Sequence, residues 1–124
     1  MDDILTNADK IEQMIQEIET VIDAIPEASE DKALGIANYD KELAVTILKM
    51  KGGIIAEMKD FQGETVTIPS GLAANLLEKI AKGYIWQRSY NKEAGEAGYK
   101  GLISILDARK AQLNGLQSIN KVLQ

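Results

Sequence analysis

The chain has 124 residues, a net charge of −5, and a composition that is 45% hydrophobic but only 5% aromatic. That length fits one domain and is too short for two ordinary ones, so a single helical domain over residues 1–124 is expected. With no histidine and no cysteine, disulfides, thiol nucleophiles, histidine bases, Ser-His-Asp triads and ordinary zinc sites are excluded.

The first segment carries the clearest pattern. Ile4, Ala8, Ile11, Ile15, Ile18, Ile22 and Ile25 recur at alternating spacings of four and three, which is a heptad seam. Met14 and Val21 widen it. Pro26 disfavours helical geometry at the residue before it, so a first helix over roughly 3–25 is expected to stop there. A short acidic link, Pro26 to Glu30, then reverses the chain into a second, antiparallel helix from about Asp31 to Lys51. That helix has its seam at Ile36, Leu43, Ile47, Met50 and Ile54.

Gly52-Gly53 should end the second helix, since a helix-interior glycine costs on the order of 1 kcal/mol. The stretch to Pro69 is the least helical. Phe61 to Glu64 reads as a turn, and Thr65 to Ile68 alternates as a short β-branched strand with Ile54-Ile55 as its hairpin partner. Ser70 is an N-cap candidate for the next helix, whose apolar face is Leu72, Leu76, Leu77, Ile80 and Ala81. Gly83 ends or bends it, and helix then continues to the C-terminus. The last seam is Tyr99, Leu102, Leu106, Arg109, Leu113, Leu116, Asn120 and Leu123. No internal repeat is read. The fold class expected is an elongated all-α antiparallel bundle with a small irregular or hairpin insertion near residues 52–69.

Residues 1–31 hold 10 acids and one base, whereas Lys79 to Gln124 holds 8 bases and 3 acids. Either the acidic first helix lies near the basic last one, or one of the two faces an external partner. No apolar run approaches the roughly 18 residues of a spanning helix, and Met1 to Ile4 is acidic where a secretory signal would be basic. A cytoplasmic protein with no membrane partner is expected.

Gly83 to Lys92 concentrates scarce aromatics with bases. Tyr84, Trp86, Arg88, Tyr90 and Lys92 fit a partner-contact surface, because interface energy gathers on Trp, Tyr and Arg and aromatics stack on nucleic-acid bases. The alternative is that Trp86 and Tyr90 fill a core gap. Ala94 to Gly101 is rich in small residues. Ala94 with Gly98 and Ala97 with Gly101 share helix faces that admit a second backbone closely, unless the stretch is a simple break. Arg109 and Asn120 interrupt the last seam; such residues fix register and oligomer order, or else lie exposed and reach solvent. The seams are long for one subunit. A homo-oligomer is therefore expected, built on Ile4, Ile11, Ile15, Ile18, Ile22 and Ile25 with Arg109, Leu113, Leu116 and Asn120.

No Walker-type glycine loop or dinucleotide fingerprint appears. A non-enzymatic protein with no cofactor and no metal is expected.

The stretches Leu106 to Lys121, Leu77 to Gly83 and Tyr39 to Thr46 resemble small helical proteins from the early regions of phages and prophages of Gram-positive hosts. Such proteins often lie beside single-strand annealing recombinases and single-stranded DNA binding proteins. The resemblance covers about two-thirds of the chain, with Gly52 to Pro69 matching least, and brings no catalytic residues. It implies an accessory protein of DNA recombination or replication in the bacterial host cell, acting through contacts with a recombinase or weak single-strand binding. Two other readings stand beside it: an inhibitor that blocks a host defence effector or captures a small ligand, and a structural assembly part.

Overall fold

The computed structural model describes residues 2–123. Met1 and Gln124, the outer ends of the acidic N-terminal tetrapeptide and of the expected C-terminal helix, lie outside the described residues. In chain order the elements are α1 (Asp2–Lys51), β1 (Glu57–Lys59), β2 (Thr65–Thr67), α2 (Ala74–Tyr84) and α3 (Trp86–Leu123). The fold is a helical bundle in which α1 packs on α3, with a small antiparallel hairpin inserted, as the sequence patterns imply. Two compact units can be described, one of Met1–Lys32 with Gly95–Gln124, the other of Ala33–Ala94.

The reversal expected at Pro26 does not occur. Pro26 lies inside a helix of 50 residues. Its ring removes one backbone hydrogen bond and costs about 3 kcal/mol in a helix interior, so side-chain packing must offset it. The burial pattern shows how. Ile4, Asn7, Ile11, Met14, Ile18, Val21, Ile25 and Ala28 are buried or half-buried, and the same alternation continues through Lys32, Gly35, Tyr39, Glu42 and Thr46. An unbroken seam crosses the proline, and Pro26 itself sits on the exposed face. The partners of this seam also differ from those expected: Asn7, Met14 and Val21 lie inward, while Ala8, Ile15 and Ile22 are exposed.

In the first unit α1 and α3 run antiparallel. Glu17 bridges Arg109 at 3.5 Å, and Asp31 and Lys32 lie against Gly95. Among its described residues, only Ile18 and Leu106 are buried hydrophobics. The acidic part of α1 and the basic part of α3 meet here, with one ion pair among the described residues.

The second unit has a fuller core, Met50, Leu77 and Ala81, with Leu43, Ile47, Ile55, Ile68 and Ile80 packed around it. α1 ends where the sequence places its stop. Gly53 takes a left-handed φ of 73°, its N–H donates to the Met50 carbonyl at 3.2 Å, and the Ile54 N–H donates to the Lys49 carbonyl at 2.9 Å. This is a Schellman cap, which requires a residue tolerant of positive φ.

That cap explains why Ile54-Ile55 is not the hairpin's first strand. The N–H groups of both isoleucines are directed at the Lys49 carbonyl and cannot enter a ladder. Glu57, Met58 and Lys59 pair instead with Thr67, Val66 and Thr65, while Ile55 joins the core and Ile54 is exposed. Ser70 is not the N-cap of α2 either. Gly71 turns left-handed at φ 74° between Ser70 and the helix, and Ala73 occupies the cap position without a side-chain hydrogen bond. Gly83 stays helical, and the break falls at Ile85, two residues further on.

Candidate functional site

The scarce aromatics of the second unit gather on its surface. The Ile85 break starts the arrangement. The Ile85 N–H still donates to the Ala81 carbonyl at 3.1 Å, and its carbonyl already accepts from Arg88 at 2.9 Å. The two helices thus abut with no linker, and the Ile85 side chain is buried. Trp86 is instead 51% exposed and Tyr90 67% exposed, so the core-filling alternative for them is overturned. Tyr84, the last residue of α2, is also exposed.

The hairpin delivers a fourth ring. In the loop after β1 the Asp60 carboxylate accepts from the Gln62 and Glu64 N–H groups, both at 2.9 Å. Gly63 supplies the left-handed φ of 81°. This braced turn holds Phe61 outward, 94% exposed, with its ring edge-on to Trp86 at a centroid distance of 6.1 Å and 64° between planes. Such edge-to-face pairs contribute about 0.5–1.5 kcal/mol beyond area burial. The hairpin loop and the helix junction together present an exposed aromatic ledge. The sequence reading places Phe61 only in a turn. No signal in the sequence places it beside Trp86, since that neighbourhood depends on the hairpin register.

Arg88 and Lys92 divide in role. Arg88 lies 3.7 Å from the Glu42 carboxylate with both side chains about half exposed, a geometry that contributes little stability. It borders an open cavity of about 400 Å³ lined by Tyr84, Trp86, Asn91 and Glu42. Lys92 turns away from the ledge: its ammonium sits 4.5 Å from the Tyr39 ring centroid, a cation–π contact. The expected surface thus keeps Tyr84, Trp86, Arg88 and Tyr90, loses Lys92 to the helix contact, and gains Phe61. It offers stacking faces and a guanidinium.

The expected oligomer residues lie in the first unit. Ile18 is buried, and Ile4, Ile11, Ile25, Arg109, Leu113, Leu116 and Asn120 are half-buried between the helices, while Ile15 and Ile22 remain exposed. Arg109 reaches Glu17 and also donates to the Gln112 side-chain Oε1 at 3.4 Å, so it is neither a sealed register residue nor a free solvent group. The Asn120 side-chain oxygen is out of water without a hydrogen-bond partner, beside an open cavity of about 590 Å³ that Ile11, Asn114, Gln117 and Lys121 also line.

One repeated motif escapes the sequence reading. Lys-x-x-Gly-x-x-x-Tyr occurs at 32–39 and again at 92–99. In the first unit Lys32 lies over the Tyr99 ring at 4.8 Å, and in the second Lys92 lies over Tyr39. A Cβ at Gly35 would sit 3.3 Å from the Asn91 carbonyl oxygen and the Lys92 Cα; one at Gly95 would sit 3.3 Å from the Asp31 oxygen and the Lys32 Cα. The close backbone approach expected at Gly98 and Gly101 is therefore made by Gly95, and those two glycines face open space.

Among the described residues no helix is long and apolar enough to cross a membrane. No family model, no curated protein and no solved structure matches the chain.

Proposed function

We propose that this chain is a non-enzymatic accessory binding protein of phage-type DNA recombination or replication, and that it engages a recombinase through the aromatic ledge of its second unit. The observation carrying this reading is the exposed Phe61–Trp86 ring pair, with Tyr84 and Arg88 lining one cavity with Trp86, and Tyr90 exposed one helical turn further along α3. Trp, Tyr and Arg dominate interface hot spots. The phage context comes from the resemblance of Leu106 to Lys121, Leu77 to Gly83 and Tyr39 to Thr46.

Weak single-strand binding is the second reading, favoured by rings that could stack bases at roughly 1–3 kcal/mol each. The second unit carries 8 bases and 7 acids, too little positive charge for strong backbone binding by counterion release. Titrating Trp86 fluorescence with a purified single-strand annealing recombinase, and separately with oligothymidylate, tests both. The proposal expects a saturable change with the recombinase and a weak, salt-sensitive one with DNA. No response to the recombinase refutes it.

A further inference from the structure

We infer that the solvent face of α1 from Leu34 to Leu48 docks an amphipathic helix that is apolar along one stripe and carries an acid at its middle. Within the second unit α1 has two apolar stripes. One, through Ile36, Leu43, Thr46, Ile47 and Met50, is buried or half-buried. The other is Leu34, Ala37, Lys41, Ala44 and Leu48, at alternating spacings of three and four, with Val45 beside it. At about 3.6 residues per turn this second stripe falls on the side of the helix away from the first. All six residues are exposed, Leu34 at 52%, Val45 at 38% and Leu48 at 69%. The outer face of a surface helix is ordinarily polar and charged. A contiguous apolar stripe there marks an interaction surface, and anchors at this spacing are what a partner helix engages. The two alanines also let a second backbone come close.

Charge selects the occupant. From Ala33 to Lys51 the helix holds Lys41, Lys49 and Lys51 against Asp40 and Glu42. Glu42 is half-buried and lies 3.7 Å from Arg88, so the exposed face is basic in a chain whose net charge is −5. Lys41 stands at the centre of the stripe, seven residues from Leu34 and seven from Leu48. It therefore meets the middle of a partner helix running in either direction. The same face of a second copy, parallel or antiparallel in register, would set Lys41 against Lys41, a like-charge contact within an apolar seam. An acid at the partner's middle turns that repulsion into attraction, while the lysine stem packs on the neighbouring apolar groups. Phe61, Tyr84, Trp86 and Tyr90 lie on other elements, so this inference stands apart from the reading of the aromatic ledge.

The probe is a labelled synthetic helix of about 20 residues, long enough to be helical when docked. It carries leucines at the same spacing, glutamates on both flanks and one glutamate at the central stripe position; a second peptide has lysine at that central position. Fluorescence anisotropy of each is titrated with the full chain from about 1 μM to 1 mM. The expected result is saturable binding of the Glu-centred peptide, loosened by added salt and tighter than that of the Lys-centred one. Leu48→Gln should weaken it about tenfold, the loss of one buried leucine contact, with helicity by circular dichroism unchanged. Lys41→Glu should reverse the preference between the two peptides by about fivefold. No binding of the Glu-centred peptide, or binding that Leu48→Gln and Lys41→Glu leave unchanged, overturns the inference. So does sedimentation showing the parent chain as a dimer that Leu48→Gln dissolves, since a second copy would then own the face. If Leu48→Gln loses helicity, Lys41→Glu alone decides, and an unreversed preference overturns the inference. Trp86 and Arg88 are untouched throughout, so failure here leaves the reading of the aromatic ledge intact.

Discussion

Alanine substitution of the helical glycines should separate them into two groups of opposite behaviour. At Gly98, Gly101 and Gly115 an added Cβ meets nothing within 4 Å. Each change should stabilise the fold by the helix-propensity difference, about 1 kcal/mol, raising Tm by about 4 °C for a chain of this length. At Gly35 and Gly95 the same propensity gain is opposed. The new Cβ would lie 3.3 Å from backbone atoms of the facing helix, which cannot rotate away as a side-chain end could. The helices would have to move apart locally, and the Lys92–Tyr39 and Lys32–Tyr99 contacts would be disturbed with them. Gly35→Ala and Gly95→Ala should thus be neutral or destabilising. Gly35→Leu should cost about 1–3 kcal/mol, as overpacked cores do. Thermal melts followed by circular dichroism measure the series. Equal stabilisation at Gly35, Gly95 and Gly101 would refute the close approach of the helices, and with it the reason given for the two Lys-x-x-Gly-x-x-x-Tyr segments.

Pro26→Ala should restore a missing hydrogen bond within a continuous α1 and stabilise by up to about 3 kcal/mol; a loss of stability in melts would instead support a turn at Pro26. Leu77→Ala should cost about 2–5 kcal/mol in urea unfolding, the range for a truncated core leucine, since its side chain lies in the Met50–Ala81 core. Phe61→Ala should change stability by less than about 1.5 kcal/mol, because an almost fully exposed ring loses little beyond its edge contact with Trp86. Glu42→Gln should shift stability by under about 1 kcal/mol, as expected for a half-exposed ion pair, and a larger loss would show that Arg88 is held more firmly than its geometry implies.

Much of the fold is legible in the sequence because it rests on periodicity. The last seam is buried or half-buried as expected from Tyr99 through Leu106 to Asn120, while its expected last member, Leu123, is exposed, and the glycine pair after Lys51 ends α1 as a left-handed cap should. The failures come from local rules that distant packing overrides. Pro26 is a valid helix-stop signal, yet the seam on either side holds the helix through it. Ile54-Ile55 has strand composition, but the Schellman cap takes its N–H groups. Two isoleucines, Ile15 and Ile22, satisfy a 4-3 spacing that fits the chain equally well one position over, and only the α3 partner selects the Asn7–Met14–Val21 phase. Within the candidate site, Trp86 and Tyr90 were visible by composition. Phe61 was not, since its place beside Trp86 depends on a hairpin register that no residue count fixes.

The most direct test of the binding role is to compare the parent chain with a Trp86→Ala, Arg88→Ala variant for capture by a purified single-strand annealing recombinase in isothermal titration, with helicity and sedimentation recorded for both. The account predicts that the variant keeps its helicity and assembly state, because Trp86 and Arg88 lie outside the core, and loses at least about tenfold in affinity, the effect of one hot-spot residue. Undiminished recombinase binding by the folded variant would contradict the role given to the aromatic ledge.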